Sequence, residues 1–279
     1  MTTWDRDKVA ASKNNLEGAE LKGLDLSGLD LNKANLISAI MVNANLQDIS
    51  LVGANLFSVK AMRADFSGAN LSGANFLKAN LTNANLTKSN LNDADLTGAN
   101  LFNADLEKTD LIRAKLIEAN LLGANLSGAD FSEAKLTGRY QREGYFSRGA
   151  NLSKGKLIGT NMRGADASGT EMMETDCTNV DFTNANLSEA NFKHAFLNSA
   201  CLVNAKLGDA DFRGARFEDC DFSGAELIEA KFQGVDLSSV RNISAEELQS
   251  AFIDSETVVP DYIYVKWTSE DTYECEIAS

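Results

Sequence analysis

A five-residue spacing of large apolar side chains runs through most of this 279-residue chain. It extends from Leu16 to Leu136 in 25 units and resumes from Leu152 to Leu237 in 18 units, and 37 of these 43 centres are Leu or Phe. A small residue, usually Ala, lies two positions before each centre, with Asn or Asp most often between them, as in residues 69–71. A repeat of this length restricts the fold before any other feature is considered.

Neither regular secondary structure places this spacing on one side. Five residues of α-helix turn through about 500°, so the centres would circle the helix. In a strand the side chains alternate, so an odd spacing would send successive centres to opposite faces. One corner per unit solves the problem, because the small residue and the centre then both point inward. Four corners would close a coil of about 20 residues, with backbones pairing at about 4.8 Å. Gly two positions after many centres, as at Gly68 and Gly123, supplies the corner conformation. The spacing alone leaves open whether a coil has three sides or four.

The A(D/N)LXX pattern resembles the pentapeptide-repeat family, and the resemblance covers residues from about Leu16 to Val240. It implies an all-β solenoid, the right-handed quadrilateral β-helix. We expect residues 1–15 to form an N-terminal cap and residues 16–240 to form the β-helix, interrupted by a loop at about 137–151. Residues 241–279 are expected to hold a short C-terminal α-helical cap and an acidic tail.

Both ends of a solenoid need covering, since exposed terminal strands would pair with other chains. The sequence Ser244-Ala245-Glu246-Glu247 predicts a capping box and a helix to about Phe252, whose Ala245, Leu248 and Phe252 would cover the last coil. At the other end, residues 4–12 predict either a helix begun by Thr3 or a degenerate first coil. The tail resembles those of pentapeptide-repeat proteins from photosynthetic bacteria. Family members with quinolone-resistance activity dimerise through C-terminal helices, so the resemblance also raises a homodimer through the C-terminal cap.

Motifs for catalysis or cofactor binding are missing from the sequence. It contains no GxxxxGK[ST], no GxGxxG and no nucleophile elbow, and its four Cys have no metal-ligand spacing. The only His, His194, lies two positions after a centre and is expected at an exposed corner. Three centres depart from the pattern, namely Ala61, Ala167 and Cys177, and we expect them to be packed core positions, with Met41 filling space beside Ala61. We therefore predict no catalytic, metal or cofactor site and no enzymatic activity.

The formal net charge of −14 argues against direct binding to a nucleic-acid backbone. About half of this charge lies in the tail, because residues 241–279 contain nine acids and two bases. The sequence has no signal peptide and no apolar run near 18 residues. We therefore expect a cytoplasmic protein with reduced thiols and no membrane association.

Two features stand out from the repeats. The first is the interruption, where sixteen residues separate Leu136 from Leu152 and about eleven must leave the coil. Its basic and aromatic residues are of types favoured at protein interfaces: Arg139, Tyr140, Arg142, Tyr145, Phe146 and Arg148. The loop is either a partner-contact loop or a surface insertion tolerated at little cost.

The second feature is an apolar stripe formed by residues directly after the centres on two adjacent faces of the N-terminal half. The first face contributes Ile37, Phe57, Leu77 and Ile117, and the second contributes Val42, Met62, Phe102 and Leu122. The other two faces carry mostly Ser, Thr, Asn, Gln and Glu at this position. By this register the loop leaves at the corner that joins the two apolar faces. Either the loop covers part of the stripe, or loop and stripe together contact a partner protein.

Two function classes follow. The first is a non-enzymatic protein-interaction scaffold with an unidentified protein partner. The second, implied by the quinolone-resistance members of the family, is a DNA mimic that binds a type II topoisomerase such as gyrase, for which an acidic rod is physically suitable. The tail resemblance adds a specialised structural or regulatory role in photosynthetic bacteria.

Overall fold

The computed structural model describes residues 3–137, 149–269 and 272–278. Single parallel bridges join each coil to the next at an interval of 20 residues, as in Asn35↔Asn55 and Asn55↔Asn75. Because the sequence unit is five residues long, this interval means four units per coil. The solenoid is therefore four-sided.

Most corners are hydrogen-bonded turns. At a representative corner the N–H of Ala39 donates to the carbonyl of Leu36 at 3.0 Å, and Ser38 has a positive φ of 54°. This is the third-residue conformation of a type II turn, which glycine adopts most easily. Gly68 and Gly123 have φ values of 68° and 71° at the equivalent position, as the sequence predicted. Non-glycine residues also adopt it here, because at most corners the N–H is bonded to the next coil, as Ser38 N–H is to Phe57 O at 2.8 Å.

The interior is a set of stacked apolar columns. The centres and the small residues before them are buried, and the atypical centres Ala61, Ala167 and Cys177 are fully buried like the rest. Near the C-terminal end the rings of Phe192 and Phe212 stack at 5.1 Å, and those of Phe212 and Phe232 at 5.0 Å. Full burial of each Leu or Phe contributes about 1.5–3 kcal/mol, so the columns are the main source of stability.

The insertion changes the register of the coil without ending it. Lys115 pairs with Lys135 at the usual interval, whereas Asn120 pairs with Asn151, an interval of 31 residues. Eleven residues therefore leave the coil, as predicted. The chain re-enters at Gly149, where an added Cβ would lie 2.5 Å from the carbonyl oxygen of Gly169. Only glycine fits so close to the next coil.

The N-terminal helix, α1 (Arg6–Ala11), begins later than predicted. Its N-cap is Asp5, whose carboxylate accepts the N–H of Lys8 at 2.9 Å, so the prediction of Thr3 as the cap is wrong. Val9 of α1 is buried in the core cluster. The Arg6 guanidinium donates to the Ser27 carbonyl at 2.6 Å and so attaches the helix to the first coils.

The C-terminal helix, α2 (Ala245–Gln249), has the predicted capping box between Ser244 and Glu247. It ends three residues earlier than predicted, and Phe252 is 45% exposed and does not cover the last coil. The reason is that the chain rejoins the solenoid after α2: Phe252 N–H donates to Ala230 O and Phe252 O accepts from Phe232 N–H. This pairing turns Phe252 outward and places Ile253 in the core.

The predicted acidic tail contains a β-hairpin. Strands β1 (Ile263–Trp267) and β2 (Tyr273–Ile277) are antiparallel, with Ile263 opposite Ile277. Ile263 is buried, and the inward side of the hairpin packs against the end of the core. No helix in the described part of the chain has the length and apolarity to cross a membrane.

Candidate interaction surface

The apolar stripe lies where the sequence register placed it. The bridges Asn35↔Asn55 and Asn55↔Asn75 align the row that holds Ile37, Phe57 and Leu77 on the first face. The carbonyl of Phe57 accepts from Ser38 N–H at 2.8 Å, and that of Leu77 accepts from Ser58 N–H at 2.9 Å. The backbone beneath the stripe is thus fixed by one hydrogen bond per coil.

The stripe is flatter and less exposed than the sequence suggested. Phe102 is 37% exposed, and the other seven side chains are half-buried. Neighbouring coils lie about 4.8 Å apart, so successive apolar side chains shield one another. Each presents an edge to solvent, which makes two shallow apolar rows, interrupted at Thr97 on the first face and at Thr82 on the second.

The column between the two apolar rows reads Ile40, Lys60, Asn80, Asn100 and Asn120, so amide side chains separate the rows in three coils. Asn120 Nδ2 donates to Asn100 Oδ1 at 3.1 Å, and Asn100 Oδ1 also accepts the N–H of Phe102 at 3.1 Å. Asn80 accepts the N–H of Thr82 in the same way. These groups are engaged in holding the turns, so the polar band between the rows is fixed rather than adaptable.

Another face carries an alternating ladder of Asp and Asn. The Asn Nδ2 donates to the Asp Oδ1 of the preceding coil in three successive pairs, Asn45–Asp25 (3.1 Å), Asn85–Asp65 (3.0 Å) and Asn125–Asp105 (3.0 Å). Alternation separates the carboxylates by two coils, about 9.6 Å, and supplies each with an amide donor. On this face, the repeat position that the sequence shows only as "Asn or Asp" therefore has an order that limits repulsion between like charges.

The predicted partner-contact loop begins and ends beside the stripe, but its named residues, from Arg139 to Arg148, lie outside the described residues. The described chain reaches Thr137 on the first apolar face. It resumes at Gly149, and Ala150 N–H donates to Leu136 O at 2.8 Å. The two ends of the insertion are therefore adjacent, at the corner between the two apolar faces.

Sequence reasoning missed several exposed apolar residues elsewhere. Phe196 is 40% exposed and lies 5.4 Å beneath the guanidinium of Arg216, a cation–π contact. It takes the position usually filled by Asn or Asp, and that exception was a usable signal. Most of the others belong to the C-terminal end: Phe252, Val258, Tyr262, Tyr264, Trp267 and Ile277. Only the tertiary structure shows that Tyr264, Trp267 and Ile277 share a hairpin.

The titratable residues offer little reactive chemistry. His194 is exposed at a corner with a φ of 59°, as predicted. Burial raises the pKa of Cys177 to about 12 and that of Cys220 to about 11, so both stay as unreactive thiols at neutral pH. In the described ranges no cluster of three or more His, Cys, Asp or Glu side chains is arranged to hold a metal ion.

Comparison with known proteins identifies the repeats. A family model for pentapeptide repeats matches in eight copies, over residues 15–56, 64–103, 99–138, 148–172, 170–209 and 205–241. No curated protein sequence matches the chain.

Several solved structures are similar. HetL, a pentapeptide repeat protein involved in heterocyst differentiation regulation in the cyanobacterium Nostoc sp. strain PCC 7120, is 29% identical (TM-score 0.39; 80% of this chain and 93% of HetL covered). QnrB1, a plasmid-mediated fluoroquinolone resistance protein, is 19% identical in a trypsin-treated variant (TM-score 0.40; 71% and 91% covered). A pentapeptide repeat protein of the Arabidopsis thaliana thylakoid lumen is 27% identical (TM-score 0.23; 42% and 72% covered). With more than half of its residues matched by the family model, the chain belongs to the pentapeptide-repeat family.

Proposed function

We propose that the protein is a non-enzymatic scaffold that binds a partner protein through the apolar stripe. One observation carries the proposal: apolar side chains line two adjacent faces of the N-terminal half on a backbone fixed in every coil. A preformed surface loses little conformational entropy on binding, so modest apolar contacts can still yield useful affinity. The ends of the insertion lie at the corner where the stripe ends, and we propose that its basic and aromatic residues enlarge this surface.

The stripe can be tested with a matched pair of variants. Phe57→Asn, Met62→Asn and Phe102→Asn together remove apolar contact, whereas Ser67→Asn and Ser72→Asn change the same turn position on the other two faces. We expect the stripe variant, at a temperature where it remains folded, to lose partners that the wild type captures from the native host, and the control to retain them. Equal capture by both variants would contradict the proposal.

The loop has its own test. Alanine replacement of Tyr140, Tyr145 and Phe146 should lower binding without lowering stability if the loop contacts the partner. A fall in stability would instead indicate that the loop covers the stripe.

A DNA mimic that binds gyrase is the second candidate, favoured by the net charge of −14 and the carboxylate ladder. The magnitudes weigh against it. The ladder offers one carboxylate per about 9.6 Å, whereas a DNA strand carries one phosphate per about 3.4 Å. Bases also pair with acids on the coils, as in Arg113–Asp93 at 2.7 Å and Arg163–Asp181 at 2.9 Å. A supercoiling assay with purified gyrase discriminates: inhibition or protection at micromolar protein supports mimicry, and its absence removes that candidate.

Three further points belong to this proposal. We propose a right-handed coil, as the family resemblance implies, and a cytoplasmic location, as the sequence analysis expects. The capping role of the C-terminal segment is supported by the buried Leu248 and Ile263 at the end of the core. The proposal of a non-enzymatic role is supported by the lack of catalytic and cofactor-binding motifs in the sequence.

A further inference from the structure

One face of the solenoid lies between the two apolar rows and continues along the whole coil. Ten successive bridges align its central column from Glu20 to Lys231, and the insertion leaves this column intact. In each coil the face is bounded by two hydrogen-bonded turns, such as residues 36–39 before it and residues 41–44 after it. We refer to it as the stripe face. The turns before it form its leading edge, and the turns after it form its trailing edge.

Both edges are mostly apolar in the N-terminal half. The leading edge carries the row that begins at Ile37, and the trailing edge carries the row that begins at Val42. Between the rows, the Asn120 amide nitrogen donates to Asn100 Oδ1 at 3.1 Å. An amide nitrogen has two hydrogens, so Asn120 keeps one N–H for a group outside the coil. This half of the face therefore offers apolar contact at its edges and hydrogen bonding along its centre.

The same two edges carry opposite charges in the C-terminal half. Three carboxylates occupy successive turns of the leading edge and form no ion pair with any described residue: Glu189, Asp209 and Glu229. Coils stack about 4.8 Å apart, so these like charges repel one another, unlike the alternating Asp and Asn ladder. On the trailing edge Lys193 and Arg213 share one carboxylate, that of Asp211, at 3.2 Å and 2.6 Å. One positive charge there is consequently left uncompensated.

We propose that the partner of the stripe is a second copy of this chain, packed parallel and side by side through the stripe face. This inference rests on the proposed function of the stripe as a protein-binding surface. A twofold axis along the rod keeps each coil level with its counterpart and sets the leading edge of one copy against the trailing edge of the other. Apolar rows then meet in the N-terminal half. In the C-terminal half Glu189 and Asp209 meet Lys193 and Arg213 of the second copy.

Other arrangements match the face less well. An antiparallel pair of fully overlapping rods would set the apolar rows of one copy against the charged edges of the other. A partner α-helix repeats every 5.4 Å, whereas the rows repeat every 4.8 Å or so, and the two would drift apart by about 2.4 Å over four coils. A second solenoid keeps the same repeat along its whole length.

The central column and the size of the face limit the strength of the pair. Across the axis the Asn100 and Asn120 amides meet their own counterparts and can donate and accept reciprocally, whereas Lys60, Glu171 and Lys231 meet like charges. Ten intervals of about 4.8 Å and three residues of about 3.3 Å give a face of about 500 Å² per copy. The total of about 1,000 Å² is at the lower limit for a specific interface. We therefore expect a weak dimer with a dissociation constant between about 1 µM and 1 mM.

Charge reversal on the leading edge tests the pairing. Glu189→Lys with Asp209→Lys sets bases against the basic trailing edge, whereas Asp48→Lys with Asp219→Lys makes the same charge change at the diagonally opposite corner. Lysine fits such corners, since Lys78 has a φ of 59°. We expect sedimentation of purified wild type and control to show the same monomer–dimer equilibrium. The reversed edge should raise the dissociation constant at least about tenfold, because like charges would then meet across the interface.

A second measurement tests the orientation. Lys231 ends the central column, so in a parallel pair the thiol of Lys231→Cys meets its counterpart, and mild oxidation should link the two copies. Lys206→Cys, on the neighbouring face, should link no more than the wild type, whose own cysteines give the baseline.

Three results would overturn the proposal: a wild type that stays monomeric up to about 1 mM, a reversed leading edge that associates as well as the wild type, or equal linkage of the two cysteine variants. A dimer through the C-terminal cap would give the second of these results. The measurements use purified protein, so failure removes the second copy as the partner and leaves the capture of host proteins to decide the proposed function.

Discussion

The stacked phenylalanines predict a measurable stability difference between two identical substitutions. Phe212 contacts three rings: Phe192 at 5.1 Å, Phe232 at 5.0 Å and Phe217 at 5.5 Å. Phe66, equally buried, contacts one ring among the described residues, that of Phe76 at 6.2 Å. An aromatic pair contributes about 0.5–1.5 kcal/mol beyond its buried area, and leucine keeps most of that area. Phe212→Leu should therefore cost about 1–3 kcal/mol more than Phe66→Leu.

Hydrogen exchange is the appropriate assay, because a solenoid is stabilised locally and the loss should concentrate in the coils around the substitution. We expect amides of the coils containing Phe192, Phe212 and Phe232 to exchange faster in Phe212→Leu, by the factor that corresponds to this free energy. Denaturant unfolding of both variants provides the global comparison. Equal losses at the two sites would refute the reasoning, since burial alone would then account for both.

Three further changes have outcomes set by the structure. Gly149→Ala should lower the free energy of unfolding by about 1–3 kcal/mol in thermal unfolding, because the added Cβ meets the backbone of the next coil. Gly159→Asn, at a φ of 63° with open space around it, should change that free energy by less than about 0.5 kcal/mol. Burial opposes ionisation of Asp211, but hydrogen bonds from Arg213 outweigh it and lower the pKa of Asp211 to about 2. The contribution of the Asp211 carboxylate to folding stability should therefore be complete above about pH 4 and lost between pH 4 and 2. The stability difference between wild type and Asp211→Asn should vanish at low pH. Burial raises the pKa of Tyr273 to about 12, so the contribution of its neutral phenol to folding stability should be complete below about pH 10 and lost between pH 10 and 12. In an absorbance titration, the phenol that ionises at the highest pH in the wild type should be missing from Tyr273→Phe.

The sequence determined the local geometry of this protein. A unit of five residues with Ala and Leu two apart requires a corner per unit, and the structure buries the centres and places residues such as Gly68 in the left-handed conformation. The number of residues in the insertion also followed from spacing alone, as the pairing of Asn120 with Asn151 confirmed. These features are local, so a short stretch of sequence encodes each of them.

The tertiary structure decided what depends on contacts between coils. Four sides rather than three, the order of the Asp and Asn ladder and the shallow burial of the stripe all arise from stacking at an interval of 20 residues. The C-terminal end was the least predictable part. There α2 stops early because Phe252 pairs with the coil, and the hairpin is held by Gln249, a residue 24 positions from Tyr273. No periodicity signals such a contact, because it depends on where the solenoid ends in space.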